Sequence, residues 1–136
     1  KLKMRFLDTN LLIRYFTRDD EEKAQKVLKL LKRVERREER VITSPLVLFE
    51  IVFTLQSFYK VPREKIKELL SPILELRGLK LSDKEIYHSA LDIYAKKNLS
   101  FADAFNAAFA LKKGIKEIYS YDEDFDKIEG IRRVVP

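Results

Sequence analysis

The chain has 136 residues, of which 46% are hydrophobic, with 3 Gly and 4 Pro, so it can bury a real core in one domain and does not read as a disordered tail. It has no cysteine and one histidine, His88, which excludes disulfides, thiol nucleophiles and metal sites built on several Cys or His. The net charge of +6 lies early, with 13 basic and 8 acidic residues in positions 1–40 against 15 and 14 in the remainder, and such a field suits a polyanionic partner.

No apolar run reaches about 18 residues without a charge, so no membrane partner is expected. No signal-peptide pattern is present, and the lack of cysteine fits a reducing compartment, so the expected location is cytoplasmic. Met4 is a candidate native start, with Lys1–Lys3 ahead of it.

In chain order, Arg5–Leu7 reads as a short buried strand that ends at Asp8. Thr9 and Asn10 are good helix starters, and Leu11–Phe16 follows as a short helix. After a turn at Thr17–Asp20, residues Ala24, Val27, Leu28, Leu31 and Val34 recur at helical spacing and predict a long amphipathic helix from about Asp20 to Arg37. A charged loop, Arg36–Arg40, leads to a second strand at Val41–Thr43.

Ser44 is a natural N-cap and Pro45 takes the favoured first helical position of a helix reaching Tyr59. That helix is apolar nearly all round, so one face is expected on the sheet and the other on a further helix or a second subunit. Val61-Pro62 opens the next helix, which Pro72 should kink or end. Leu79–Leu81 is a weak third strand, and Ser82 with Glu85 makes a capping-box pattern for a helix to about Lys97. Ser100 starts another helix, with Gly114 as its C-terminal cap. Glu117–Tyr121 is a strand, an acidic turn follows, and Arg132–Val135 is the last strand. Strands alternating with helices predict an α/β three-layer sandwich, residues 1–136 as a single domain. Its short, mainly parallel central sheet has about four to five strands flanked by helices.

Three acids interrupt apolar runs: Asp8 after Phe6-Leu7, Glu50 within Leu46–Leu55, and Asp103 within Phe101–Leu111. A charge among apolar residues is costly unless it is paired or binds a cation. Asp122 follows the strand Glu117–Tyr121 as Asp8 follows the first, and ligands of open parallel sheets bind beyond the strands' carboxyl ends. Each acid has a structural alternative. Asp8 could cap the helix after it, Asp103 could complete a capping box with Ser100, Glu50 could pair with Arg14, and Asp122, Glu123, Asp124 and Asp126 could form a solvated acidic turn.

Carboxylates gathered together repel unless they share a proton or a cation. Hard oxygen ligands without Cys or His point to Mg²⁺ or Mn²⁺. Such a site activates water and stabilises charge on a phosphoryl group, while a basic surface nearby holds a nucleic-acid backbone. The residues alone thus lead to metal-dependent phosphodiester hydrolysis.

Phe6-Leu7-Asp8-Thr9-Asn10, Glu50 in its apolar helix, Leu99-Ser100-Phe101-Ala102-Asp103-Ala104 and Ser120-Tyr121-Asp122-Glu123-Asp124-Phe125 together resemble the PIN-domain ribonucleases, especially the VapC-type toxins of prokaryotic toxin–antitoxin pairs. The resemblance implies a metal-dependent endoribonuclease with Asp8, Glu50, Asp103 and Asp122 as its acidic quartet. Asp8 and Asp103 would be the direct Mg²⁺ or Mn²⁺ ligands, and Glu50 and Asp122 would complete the shell. Thr9, Asn10 and Ser120 would orient acids and waters by hydrogen bonds. Ser120 stands where the family commonly has Thr, and Asp124 and Asp126 compete with Asp122 for the fourth position. The resemblance further implies an RNA substrate, a small antitoxin partner and a homodimer. The alternatives are an RNA-processing nuclease without an antitoxin and a catalytically silent nucleic-acid-binding domain.

Overall fold

The computed structural model describes residues 3–136, which divide into two compact units, one up to Ser82 and one from Asp83 onward. In the first unit β1 (Met4–Phe6), β2 (Arg40–Ile42) and β3 (Leu79–Lys80) form a parallel sheet in that order, with Met4 opposite Arg40 and Val41 opposite Leu79. Parallel neighbours need long crossovers. Here α1 (Thr9–Thr17) and α2 (Glu21–Glu35) lie between β1 and β2, and α3 (Pro45–Ser57) and α4 (Arg63–Leu74) between β2 and β3. The ladder runs one residue beyond β1, because the Leu7 N–H donates to the Ile42 carbonyl at 2.8 Å.

The amphipathic pattern of α2 is realised: Ala24, Val27, Leu31 and Val34 are buried, and Asp20 caps the helix by accepting from the Lys23 N–H. Ser44 caps α3 with Pro45 in the first turn, as expected. Pro72 lies in the last turn of α4, which stops at Leu74, two residues later. Gly78 marks a close approach: a Cβ there would sit 2.5 Å from the carbonyls of Val34 and Glu39, so only glycine lets β3 enter.

In the second unit α5 (Lys84–Lys96) packs on α6 (Phe101–Lys112), followed by β4 (Glu117–Tyr119), a 3-10 turn (Glu123–Lys127) and β5 (Arg132–Val134), which pairs parallel with β4. Ala104, Ala107 and Ala108 form a buried small-residue stripe that lets the helices approach. Ring contacts of Tyr87 with Phe105 (5.0 Å between centroids) and Tyr94 with Phe101 (5.8 Å) lock them. Ser100 caps α6, and Gly114 takes a left-handed φ of 77° just past its end, both as expected.

The expected capping box at Ser82 and Glu85 does not form. Asp83 adopts a left-handed backbone (φ 57°) and itself takes the N-cap position without a side-chain cap bond, so Ser82 falls outside the helix. All five strands pair in parallel, three in the first unit and two in the second.

Candidate functional site

In the first unit Asp8 stands between β1 and α1, and Glu50 stands on the first half of α3. The buried Thr43 hydroxyl donates to the Leu7 carbonyl at 2.9 Å, which fixes the end of β1 from β2. Asp8 follows and occupies the N-cap position of α1 (φ −92°, ψ 161°), yet its side chain makes no cap hydrogen bond. Its carboxylate is exposed and is not consumed by the helix. Thr9, half-buried, donates from Oγ1 to Glu50 Oε1 at 2.5 Å and so ties the start of α1 to the first half of α3.

Glu50 shares one stripe of α3 with Leu46 and Phe53, and that stripe is open to solvent, Leu46 being 77% and Phe53 69% exposed. The structural alternative of a Glu50–Arg14 pair is not realised, because Glu50 is partnered by Thr9 while Arg14 pairs with Asp19 at 3.6 Å. One sequence expectation is corrected here. The cost of burying a charge does not apply to Asp8 or Glu50, because both are exposed despite their apolar neighbours in sequence.

The second unit brings three carboxylates together. One oxygen from each of Asp103, Asp122 and Asp124 lies within 4.8 Å of the others. Asp103 is presented by the capped start of α6, where Ser100 Oγ accepts from the Asp103 N–H at 3.0 Å. Asp122 is positioned by two short bonds: its N–H donates to Ser120 Oγ at 2.9 Å, and its Oδ1 accepts from the Asp124 N–H at 2.9 Å. Ser120 is itself anchored, its N–H donating to the Val134 carbonyl at 3.1 Å. Asp103 and Asp122 open onto a cleft of about 500 Å³ whose lining also includes Asn106, Phe109 and Ser120.

Burial, and then the neighbouring Asp122, push the Asp103 carboxyl above its ordinary value; the Ser100 hydroxyl pulls it down and Asp124 adds a further push up. The acids of the acidic turn part company. Asp126 turns to Arg133, at 3.2 Å, and Asp124 meets the Lys127 ammonium at 2.7 Å, while Lys127 also donates to the Asn98 carbonyl at 2.7 Å. Asp122 and Asp124 therefore stand with Asp103, and Asp126 does not.

A family model of the PIN domain matches residues 5–131 of the chain. The chain belongs to the PIN-domain family. Among the described residues, five short parallel strands and six helices give this PIN domain the α/β architecture its sequence predicts. It is also similar to the VapC ribonuclease of Aquifex aeolicus (strain VF5), with 29% identity over 133 residues covering 98% of this chain and 97% of that protein.

The candidate site residues expected from the sequence fall into two sets. Asp8, Thr9 and Glu50 belong to the first unit; Asp103, Ser120, Asp122 and Asp124 belong to the second. Asn10 lines a groove between α1 and α2. Sequence reasoning missed Thr43 and Asn106, and it did not find the contact of Lys127 with Asp124. A hydroxyl between a strand and a Ser-Pro helix start was the only sequence signal for Thr43. The Asp103, Asp122 and Asp124 oxygens suit a hard divalent cation, which would relieve the repulsion that adds to burial in raising Asp103. Lys127 already offsets part of that charge at Asp124.

Proposed function

We propose that this PIN domain acts as one unit over residues 1–136 and is a metal-dependent endoribonuclease, the toxin of a type II toxin–antitoxin pair working in the cytoplasm. The observation that carries the reading is the gathering of Asp103, Asp122 and Asp124 in a PIN-family chain. The name of the Aquifex protein, a VapC ribonuclease, supports RNA as substrate. The proposal assigns Asp8, Glu50, Asp103 and Asp122 to one reaction, with Asp8 and Asp103 as the metal ligands and Glu50 and Asp122 completing the shell. Asp124 supports Asp122 through its backbone N–H.

Mg²⁺ or Mn²⁺, when bound, would supply Lewis-acid stabilisation of the phosphoryl group and a water acidic enough to attack at neutral pH. The protein's own part is positional. Thr9 holds one Glu50 oxygen and leaves the other to orient a water. Ser120 fixes the backbone on which Asp122 stands. Asp103, raised by burial and by the neighbouring Asp122, is a carboxyl that takes up or releases a proton nearer neutrality than an ordinary aspartate does.

The same reading includes an antitoxin and a second copy of the chain as partners. Phe58, 75% exposed just past the end of α3, is apolar surface that supports a partner outside the Glu50 stripe. Purified protein incubated with a panel of RNAs and Mn²⁺ or Mg²⁺ tests the chemistry. Cleavage that requires the metal and stops with chelator is the expected result; cleavage that persists in chelator, or none on any RNA, overturns it. Millimolar Mn²⁺ should also raise the melting temperature by binding the folded state, and an unmoved melting curve counts against a preformed site.

A further inference from the structure

We propose that the cleft at the amino-terminal end of the β1–β2–β3 sheet binds a compact ligand bearing a diphosphate group, an inference that does not rest on the nuclease reading. The first residues of the three strands, Met4, Arg40 and Leu79, line the cleft. The strands are parallel, so it lies at the end of this sheet opposite to Asp8, which comes after the last residue of β1. Its volume of about 280 Å³ is just under the usual range of small-molecule pockets. Four cations line it, Arg37, Arg40, Arg77 and Lys80, and no acid does among the described residues.

The charge stays uncompensated because the acids of the same segment are engaged elsewhere. Glu35-Arg36-Arg37-Glu38-Glu39-Arg40 mixes both signs. Glu38 pairs with Arg36 at 2.9 Å, and Glu39 with Arg5 at 3.1 Å and Arg33 at 3.5 Å. Glu35 takes Arg77 at 3.5 Å and also accepts from the Arg77 N–H at 3.1 Å. Arg37, Arg40 and Lys80 are left with no ion pair or side-chain hydrogen bond among the described residues. Arg37 stands out further, because it holds the left-handed position just past α2, at φ 61°. Its N–H donates to the Val34 carbonyl at 3.0 Å, and the Glu38 N–H to the Arg33 carbonyl at 2.8 Å. Such a helix end favours glycine. An arginine there brings backbone strain and an unpaired guanidinium, and the fold uses neither.

Three of the four cations are arginines, whose planar fork matches pairs of phosphate oxygens. A diphosphate group carries about three negative charges at neutral pH, which answers the three cations that lack an acid partner. The cations come from the turn after α2, the start of β2 and the segment entering β3. They converge on a short cleft and do not line a track, which favours a compact ligand over a polynucleotide strand. The diphosphate is either free or part of a nucleotide.

The test is isothermal titration of inorganic pyrophosphate, and in parallel of adenosine diphosphate, into the full chain in metal-free buffer without other polyanions. The cleft variant is Arg37→Gly/Arg40→Ala. Glycine suits the left-handed turn and neither arginine is in an ion pair, so the variant should melt as wild type does. Lys80→Met alone gives a second reading should that variant not fold. The control Lys29→Ala/Lys32→Ala removes the same charge from exposed positions of α2 outside the cleft. Wild type should bind saturably, the cleft variant about tenfold more weakly, and the control as wild type does. The tighter of the two ligands tells a free diphosphate from a nucleotide's. No saturable binding by wild type, or equal losses in cleft variant and control, overturns the proposal. Citrate bound as tightly as pyrophosphate overturns the phosphate assignment. A short single-stranded RNA that displaces pyrophosphate, binds more tightly than either ligand and loses affinity in the cleft variant gives the cleft to nucleic acid and overturns it too.

Discussion

The acids of the first unit and those of the second are held by opposite means. Asp8 and Glu50 are exposed, no basic side chain is bound to them among the described residues, and Glu50 is placed by a hydroxyl, that of Thr9. Asp103, Asp122 and Asp124 are placed by backbone and serine bonds and stand close together, so partial burial and then the neighbouring acids raise Asp103, and a lysine stands against Asp124. The first arrangement costs little and waits for a ligand. The second carries a charge problem inside the fold, the state that a bound cation relieves. The crowding of carboxylates that a cation would relieve is therefore found in the second unit, whereas the acids of the first unit carry no such crowding.

Breaking the orienting bond should have the larger effect. Thr9→Val leaves Glu50 without its hydroxyl partner, and loss of such a supporting bond typically lowers activity by about 10- to 100-fold. Thr9→Ser should restore most of the rate, because it keeps the hydroxyl. RNA cleavage rates of the three proteins, with melting curves to show that each folds, check this. A Val variant as fast as wild type would remove Glu50's orientation from the account.

A smaller change sharpens the second unit's side of the comparison. Lys127→Met removes the cation beside Asp124, which is exposed along with its partner. Mn²⁺ binding should then tighten by about two- to fivefold, the size of an exposed ion pair's contribution. Titration of the metal into both proteins measures it, and weaker binding in the variant would make Lys127 a support of the site and not a competitor.

The smallest effect is in pH. A raised Asp103 value means that the folded protein holds this proton more tightly than the unfolded chain does. Its stabilising contribution is complete below the ordinary Asp range and is lost as pH rises through the raised value. Without metal, the melting temperature of wild type relative to Asp103→Asn should therefore fall as pH rises, and Mn²⁺ should reverse the trend. A difference that stays flat or grows with pH contradicts the charge problem assigned to the second unit.

The alternation of strands and helices was legible because its signals are local. Val27, Leu31 and Val34 repeat at helical spacing, Ser44-Pro45 and Ser100 start helices, and Gly114 ends one. Local reading failed where a backbone choice competed, as at Asp83, whose left-handed conformation displaced the Ser82 cap. The acids were legible as candidates but for a partly mistaken reason, since helix geometry turns Glu50 outward from its apolar neighbours and leaves it exposed. Partners distant in sequence were not legible. Thr43 reaches Leu7 across 36 positions and Lys127 reaches Asn98 across 29, and neither bond has a periodic or spacing signature. Arg14 pairs with the nearby Asp19 and not with the distant Glu50.

The central claim is that Asp8 and Asp103 serve one metal-dependent reaction. It is tested most directly by the RNA cleavage rates of Asp8→Asn, Asp103→Asn and the double variant in Mn²⁺. Each single variant should fall by roughly two to four orders of magnitude. The double variant should be no slower than the worse single one, because groups that act as a unit are strongly non-additive. Losses that multiply in the double variant, or a folded single variant that cleaves at the wild-type rate, would contradict it.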